Sequence, residues 1–184
     1  MQLQFPNNIS VKEKEIFEKL PCLGEISDND FNYSDEKIEP KEELSYCVRI
    51  LLIEENKICV EYSKKYDYIQ ILGGHIEENE SIESAAKRET SEEGGYEIER
   101  LSPVGYFIEN GVAKKSISFV YMATPGRQIG TSYEDDEKEC EFEPIWYKLE
   151  DATKVLEETD KKYIKSYNGR FATKRDLCLL RKLF

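Results

Sequence analysis

Three glutamates stand where an apolar stripe should continue. Residues 81–93 read as a helix with Ile82, Ala85 and Ala86 on one face. On a helix turning about 100° per residue, Glu89 falls on that same face, with Glu93 about 40° to one side and Glu92 about 60° to the other. A solvated charge run would set its acids opposite the apolar face. Carboxylates this close repel one another, and partial burial raises their pKa values or demands a cation. Hard oxygen donors suit Mg²⁺ or Mn²⁺ far better than zinc, and Mg²⁺ with few protein ligands usually works on phosphate substrates. The plain alternative is a Glu-rich surface helix with ordinary glycine punctuation.

The chain around this segment must position it. Gly73-Gly74 precede the helix and allow close backbone approach, and Gly94-Gly95 supply its stop. Upstream, residues 46–53 and 57–62 read as a β-hairpin, and 66–72 as a short strand halted by the two glycines. Downstream, 98–108 and 116–123 read as strands around the Asn110-Gly111 turn. An acidic stretch, 134–143, leads into 144–149. A helix over about 150–165 ends at Asn168-Gly169, and a last helix spans about 173–183. At the N-terminus, Ser10-Val-Lys-Glu13 resembles a capping box for a short helix ending before Pro21. Residues 24–43 read as irregular cover. Strands in runs with few helices predict a mixed sheet with helices packed on it. Residues 1–43 are expected to form an extension with a helix and an acidic irregular part, and 44–184 the main domain.

Composition narrows the function. The 184 residues carry a net charge of −12, with 35% charged and 39% hydrophobic residues. So acidic a chain disfavours general nucleic-acid and membrane binding. No apolar run is long enough to span a bilayer, and the N-terminus lacks the pattern of a secretion signal. The five cysteines form no CxxC pair, which fits free thiols in a reducing cytosol and predicts a cytoplasmic protein. His75 is the single histidine. Residues 161–184 hold eight basic residues and one acid, a tail that either docks on the acidic remainder or offers Arg170, Lys174 and Arg175 to an anionic ligand.

The stretch from Gly74 to Tyr96 resembles the Nudix box, the signature of the Nudix hydrolases. Gly74, Glu80, Arg88-Glu89, Glu92-Glu93 and Gly95 fit every fixed position, and Tyr96 fits the final apolar one. Thr90 replaces the usual branched apolar residue, Leu72 a common proline and Asn79 a common glycine, and none of these removes a ligand. The resemblance implies an α/β/α sandwich around a mixed sheet, spanning about 44–165. It implies a catalytic set of Glu89, Glu92, Glu93 and Arg88. The three glutamates would hold Mg²⁺ (or Mn²⁺), with a Gly73 or Gly74 carbonyl as a further ligand. Arg88 would orient the carboxylates by pairing with Glu92 and Glu80, and Gly74, Glu80 and Gly95 would shape the box. The water-activating glutamate would come from the box or from Glu137, Glu139, Glu141 and Glu143. His75, Arg49 and Tyr106 are candidate substrate contacts. Tyr62, Tyr66, Tyr68, Phe107 and Phe119 stand beside Tyr106 as aromatics on which a base could stack.

The implied activity is a Mg²⁺-dependent pyrophosphohydrolase acting on a small-molecule nucleoside diphosphate derivative, either a (d)NTP or a nucleotide sugar. The proline that accompanies ADP-ribose specificity in some members is Gly111 here. The competing expectation is a catalytically silent Nudix domain that senses a nucleotide or binds a protein. Analogy with the family suggests a homodimer.

Overall fold

The run Ile50-Leu51-Leu52-Ile53 has no polar alternation, as expected of a strand covered on both faces. The computed structural model describes residues 3–31, 40, 43–162 and 164–184, without the side chains at 136 and 137. Its strands are β1 (Cys22–Ser27), β2 (Ser45–Glu54), β3 (Lys57–Ser63), β4 (Tyr68–Ile71), β5 (Tyr96–Asn110), β6 (Lys115–Gln128) and β7 (Phe142–Lys148). Its helices are α1 (Val11–Glu18), α2 (Ile82–Glu89), α3 (Asp135–Glu139), α4 (Leu149–Asp160) and α5 (Tyr167–Leu183). Among the described residues the strands form one seven-stranded sheet in the order β1-β5-β6-β2-β3-β4, with β7 on β3. The β1–β5 and β2–β6 pairs are parallel and the others antiparallel.

Period-two alternation sorts the sheet into two cores. Leu51, Val60, Phe107 and Val120 face Leu156 of α4 and Phe171, Leu179 and Leu180 of α5. Ile50, Leu52, Cys59 and Phe119 face Phe17 of α1 and Ile82, Ala85 and Ala86 of α2. The expected sandwich of helices around a mixed sheet is therefore present.

Several local readings change. Residues 22–27, expected as irregular cover from Gly24 onward, form β1. Its parallel partner lies some eighty residues away in sequence, and short-range pattern carries no trace of such a pairing. Residues 32–39, 41 and 42 of that cover lie outside the described residues. Phe17 packs edge-on against Phe119 and Tyr121, so the N-terminal stretch shares the core of the main domain. Asn168-Gly169 opens a helix instead of closing one. Ser166 caps α5 by accepting from the Gly169 N–H at 3.0 Å. The basic tail docks through Lys174 on Asp160 at 2.7 Å and Arg181 on Glu157 at 2.7 Å, while Arg175 pairs with the tail's own Asp176 at 2.7 Å.

The segment that matters for chemistry is laid along β2. The Val48 N–H donates to the Gly74 carbonyl (2.9 Å), the Ile50 N–H to Leu72 (2.8 Å), and the Ile76 N–H to Tyr46 (2.9 Å). The two glycines thus sit in a short ladder, not in an open loop.

Candidate active site

Helix α2 starts at Ser81, whose hydroxyl accepts from the Ser84 N–H at 3.0 Å. Ile82, Ala85, Ala86 and Glu89 form its buried face, as the angular reading anticipates. The reading fails one turn later. Residues Thr90–Gly94 form a π turn, closed by Gly95 in the left-handed region at φ 75°. A π turn advances less per residue than an α-helix, so Glu92 and Glu93 leave the positions that regular spacing assigns them. Glu93 ends buried, at 3% exposure, and Glu92 half-buried. The Thr90 hydroxyl is satisfied within the helix, donating to the Ala86 carbonyl at 2.8 Å.

Arg88 binds the acids together. Its Nε and Nη2 grip both oxygens of Glu80 at 3.0 Å each. Nη1 donates to Glu89 at 2.8 Å and to Glu92 at 3.0 Å, and Nη2 also reaches the His75 carbonyl at 2.9 Å. A planar guanidinium suits such multiple contacts. Burial pushes the Glu80 carboxyl up, but the Arg88 hydrogen bonds and the Glu77 backbone outweigh it and hold the group below its usual range. Glu89 behaves differently. Its burial dominates over Arg88 and pushes the carboxyl up to about 7. Glu93 accepts the Gly73 N–H at 2.5 Å, which joins the π turn to the glycine ladder.

The glycines are required by contact. Gly73 has φ +134°, and a Cβ there would fall 2.1 Å from the Val48 carbonyl oxygen. A Cβ on Gly74 would fall 2.5 Å from a Glu89 carboxylate oxygen. The space that a side chain would fill is the space the Glu89 carboxylate uses. The Gly73 carbonyl accepts from Arg49, and the Gly74 carbonyl from Val48.

The donor set is all oxygen, which fits a hard divalent cation. Among the described residues no group of three or more His, Cys, Asp or Glu side chains is already drawn together round one point. Glu89 and Glu92 each spend one oxygen on Arg88 and keep the other clear of it.

Gly73, Gly74, Arg88, Glu89, Glu92 and Glu93 line a cavity of about 540 Å³. His75, Arg49 and Glu139 lie in its wall, as do Tyr66 and Tyr68. Tyr106 of β5 lies off it, opposite Phe119 of β6, and Phe107 and Phe119 are core residues. Tyr62 is also off it and donates to Asp67 at 3.0 Å. Glu143 is held by Lys64 at 2.5 Å and Glu141 occupies a turn at φ 53°; neither lines the cavity. The Glu137 side chain is outside the described residues. Arg170, Lys174 and Arg175 are off the wall too. Sequence reasoning missed Glu134, Gln70, Ser166 and Asn168, all in the wall. For Ser166 and Asn168 the signal was present, as a serine three residues before Gly169 that could have been read as an N-cap.

Comparison with known proteins identifies the family. The NUDIX domain family matches residues 35–167. The mouse (Mus musculus) oxidized purine nucleoside triphosphate hydrolase is 32% identical over 78 residues, 42% of this chain. The match spans about half that relative's length, 47%. Among solved structures, an ADP compounds hydrolase superposes with a TM-score of 0.54 at 21% identity, covering 77% of this chain and 72% of its own. A MutT NUDIX hydrolase from Burkholderia pseudomallei gives a TM-score of 0.51 at 18% identity, covering 73% and 98%. Those two likenesses concern the fold. With the matched region spanning most of the sequence, the chain belongs to the NUDIX family.

Proposed function

We propose that this chain is a pyrophosphohydrolase that uses a divalent cation, Mg²⁺ first and Mn²⁺ as a substitute, to cleave the diphosphate bond of a nucleoside diphosphate derivative. The observation that carries this reading is the set of glutamates tied by Arg88 and Gly73 in the wall of one cavity. The relative that matches over 78 residues is named for hydrolysing oxidized purine nucleoside triphosphates, which supports the (d)NTP class over nucleotide sugars.

Glu89, Glu92 and Glu93 would hold the cation, with the second lone pair of the Gly73 carbonyl available beside them. When bound, such a cation supplies Lewis-acid neutralisation of the diphosphate charge. The chain's own groups do the rest. Arg88 fixes Glu80, Glu89 and Glu92 so that their mutual repulsion does not splay them. The water oxygen forms a bond to phosphorus, the bridging P–O bond breaks, and its electron pair leaves with the departing phosphate. The water proton passes to a glutamate. Among the described residues Glu139 and Glu134 are the acids outside the box that line the cavity, so Glu139 stays a candidate for that proton, Glu134 joins it, and Glu141 and Glu143 drop out. Tyr66 offers a face on which a base can stack, whereas Tyr68 is buried against Phe142.

The test is a screen of nucleoside triphosphates, nucleotide sugars, ADP-ribose and dinucleoside polyphosphates with Mg²⁺, products separated by chromatography. Cleavage of one class that disappears in EDTA and in Glu92→Gln is the expected result. Folded protein that binds a nucleotide but turns over none of these compounds overturns the reading in favour of a sensing module.

A further inference from the structure

The chain changes strand partner just before the glycines. Among the described residues β2 and β3 pair only near their turn, from Leu52 with Cys59 to Glu54 with Lys57. Residues 68–75 fill the fork that follows. Ile71 pairs with Val60 of β3, and the next residue, Leu72, with Ile50 of β2. At this step the Ile71 N–H donates to the Asp176 carboxylate of α5 at 2.7 Å, across 105 residues of chain. Asp176 is fully buried, and its other oxygen accepts from the Arg175 Nε at 2.7 Å. A buried carboxylate is a costly way to satisfy one backbone N–H. What it supplies is a charge-assisted bond, shorter and stronger than one to a carbonyl. Phe171, Leu177, Leu179 and Leu180 anchor α5 in the core, so that oxygen comes from a fixed element.

The groups after Ile71 have no room to adjust. The Leu72 carbonyl accepts from Ile50, the Gly73 N–H donates to Glu93, and the Gly74 carbonyl accepts from Val48. A methyl group fits at neither glycine, against the Val48 carbonyl in one case and the Glu89 carboxylate in the other. Close-packed segments transmit a displacement. A slip at Ile71 therefore reaches Glu93 through its hydrogen bond to Gly73 and Glu89 through its contact with Gly74. Helix α5 also opens on the same cavity, where Ser166 and Asn168 lie in the wall.

We propose that Asp176 is a positioning residue of the site: its bond to the Ile71 N–H sets the register of Gly73 and Gly74, and through them the places of Glu89 and Glu93. The cation those glutamates would hold is that of the pyrophosphohydrolase reading, on which this inference rests. Asp176 lies beyond the residues 35–167 that match the family, so the C-terminal helix is part of the working site and not an appendage to it.

The probe is Mn²⁺ alone, its free concentration followed by electron paramagnetic resonance, with the assigned Gly73 and Gly74 amide signals read by NMR in parallel. Asp176→Leu removes the acceptor, and Asp176→Asn keeps an oxygen without the charge. Leu180→Ala is the control, since it loosens α5 by a cavity and leaves Ile71 untouched. Asp176→Leu should bind Mn²⁺ about 10-fold more weakly and Asp176→Asn about threefold, both with displaced glycine signals. Leu180→Ala should stay within about twofold of the unaltered chain. If a substrate is turned over, raised Mg²⁺ should restore much of the lost kcat in Asp176→Leu, a response that simple destabilisation does not give. Unchanged Mn²⁺ affinity in folded Asp176→Leu, or glycine signals displaced as far in Leu180→Ala, overturns the proposal. If Asp176→Leu does not fold, Asp176→Asn decides, and unchanged affinity with unmoved glycine signals overturns the proposal there. An unaltered chain that binds no Mn²⁺ would overturn the cation reading instead, and the glycine signals of the variants would then decide the positioning role alone.

Discussion

Arg88 and Arg175 each gather carboxylates, and only the second of the two clusters balances its charges. Around Arg88 the acids are in excess: Glu80, Glu89 and Glu92 within 3.0 Å and Glu77 at 3.9 Å. Its side chain is 23% exposed. Around Arg175, 2% exposed, two cations (Arg175 and Lys114) meet two carboxylates (Glu109 and Asp176). A buried pair that balances is a structural device of uncertain net value. A cluster that does not balance is short of a partner, and the sign of the shortage names the partner. The first cluster lacks a cation and its Glu89 and Glu92 open on the cavity, whereas the second is closed off from it.

The comparison can be broken at either end. The largest effect is expected for Glu92→Gln and Glu93→Gln, which remove charge where it is in excess. Hydrolysis should fall by about 10²- to 10⁴-fold with circular dichroism unchanged. The amide introduced by Glu93→Gln retains an oxygen for the Gly73 N–H, so folding is not the limiting factor. Next, Arg175→Met leaves Asp176 and Glu109 without their main counter-charge in a sealed setting. Urea denaturation should show a loss of about 3–5 kcal/mol. A loss below about 1 kcal/mol would mean that the second cluster is not the structural one of the two.

A smaller effect belongs to Glu80, and it depends on pH. The folded carboxyl lies below its ordinary value of 4.5, so its contribution is full above that pH and is lost as pH falls through the folded value. Glu80→Gln should cost about 1–2 kcal/mol at pH 7, and the difference should shrink as pH falls below 4.5 through the folded value. Urea midpoints followed from pH 7 downward measure it. The smallest effect is expected at Glu143, whose pair with Lys64 is 41% and 50% exposed. Glu143→Gln should change stability by under about 1 kcal/mol and turnover by less than about twofold. Glu139→Gln, changed in the same way, should lower turnover far more.

Much of the first cluster was legible in the sequence. Glu89 could be placed on the buried face from Ile82, Ala85 and Ala86 alone, and the box spacing linked Arg88 to Glu80 and Glu92. The π turn was not legible, because nothing in Thr-Ser-Glu-Glu-Gly distinguishes it from a fraying helix end. The second cluster was almost invisible. Arg175-Asp176 reads as an ordinary charged pair on a surface helix, and its burial depends on Glu109, Lys114 and the Ile71 N–H, which Asp176 accepts at 2.7 Å across 105 residues of chain. The strand β1 was missed for a similar reason, since Leu23 and Ile26 give too short an alternation to mark it.

The family match stops at residue 167, where α5 begins, and starts at 35, after β1 has ended. A recombinant chain trimmed to those limits would keep every box residue and still be a damaged protein. It would lose the acceptor for the Ile71 N–H, two residues before Gly73, and would bare the flank of β5 where residues 106–110 now meet β1. An uncovered flank of that kind recruits strands from other molecules. Grafting the box alone onto another scaffold would meet the same difficulty, because the ends of the chain complete what its middle spells out.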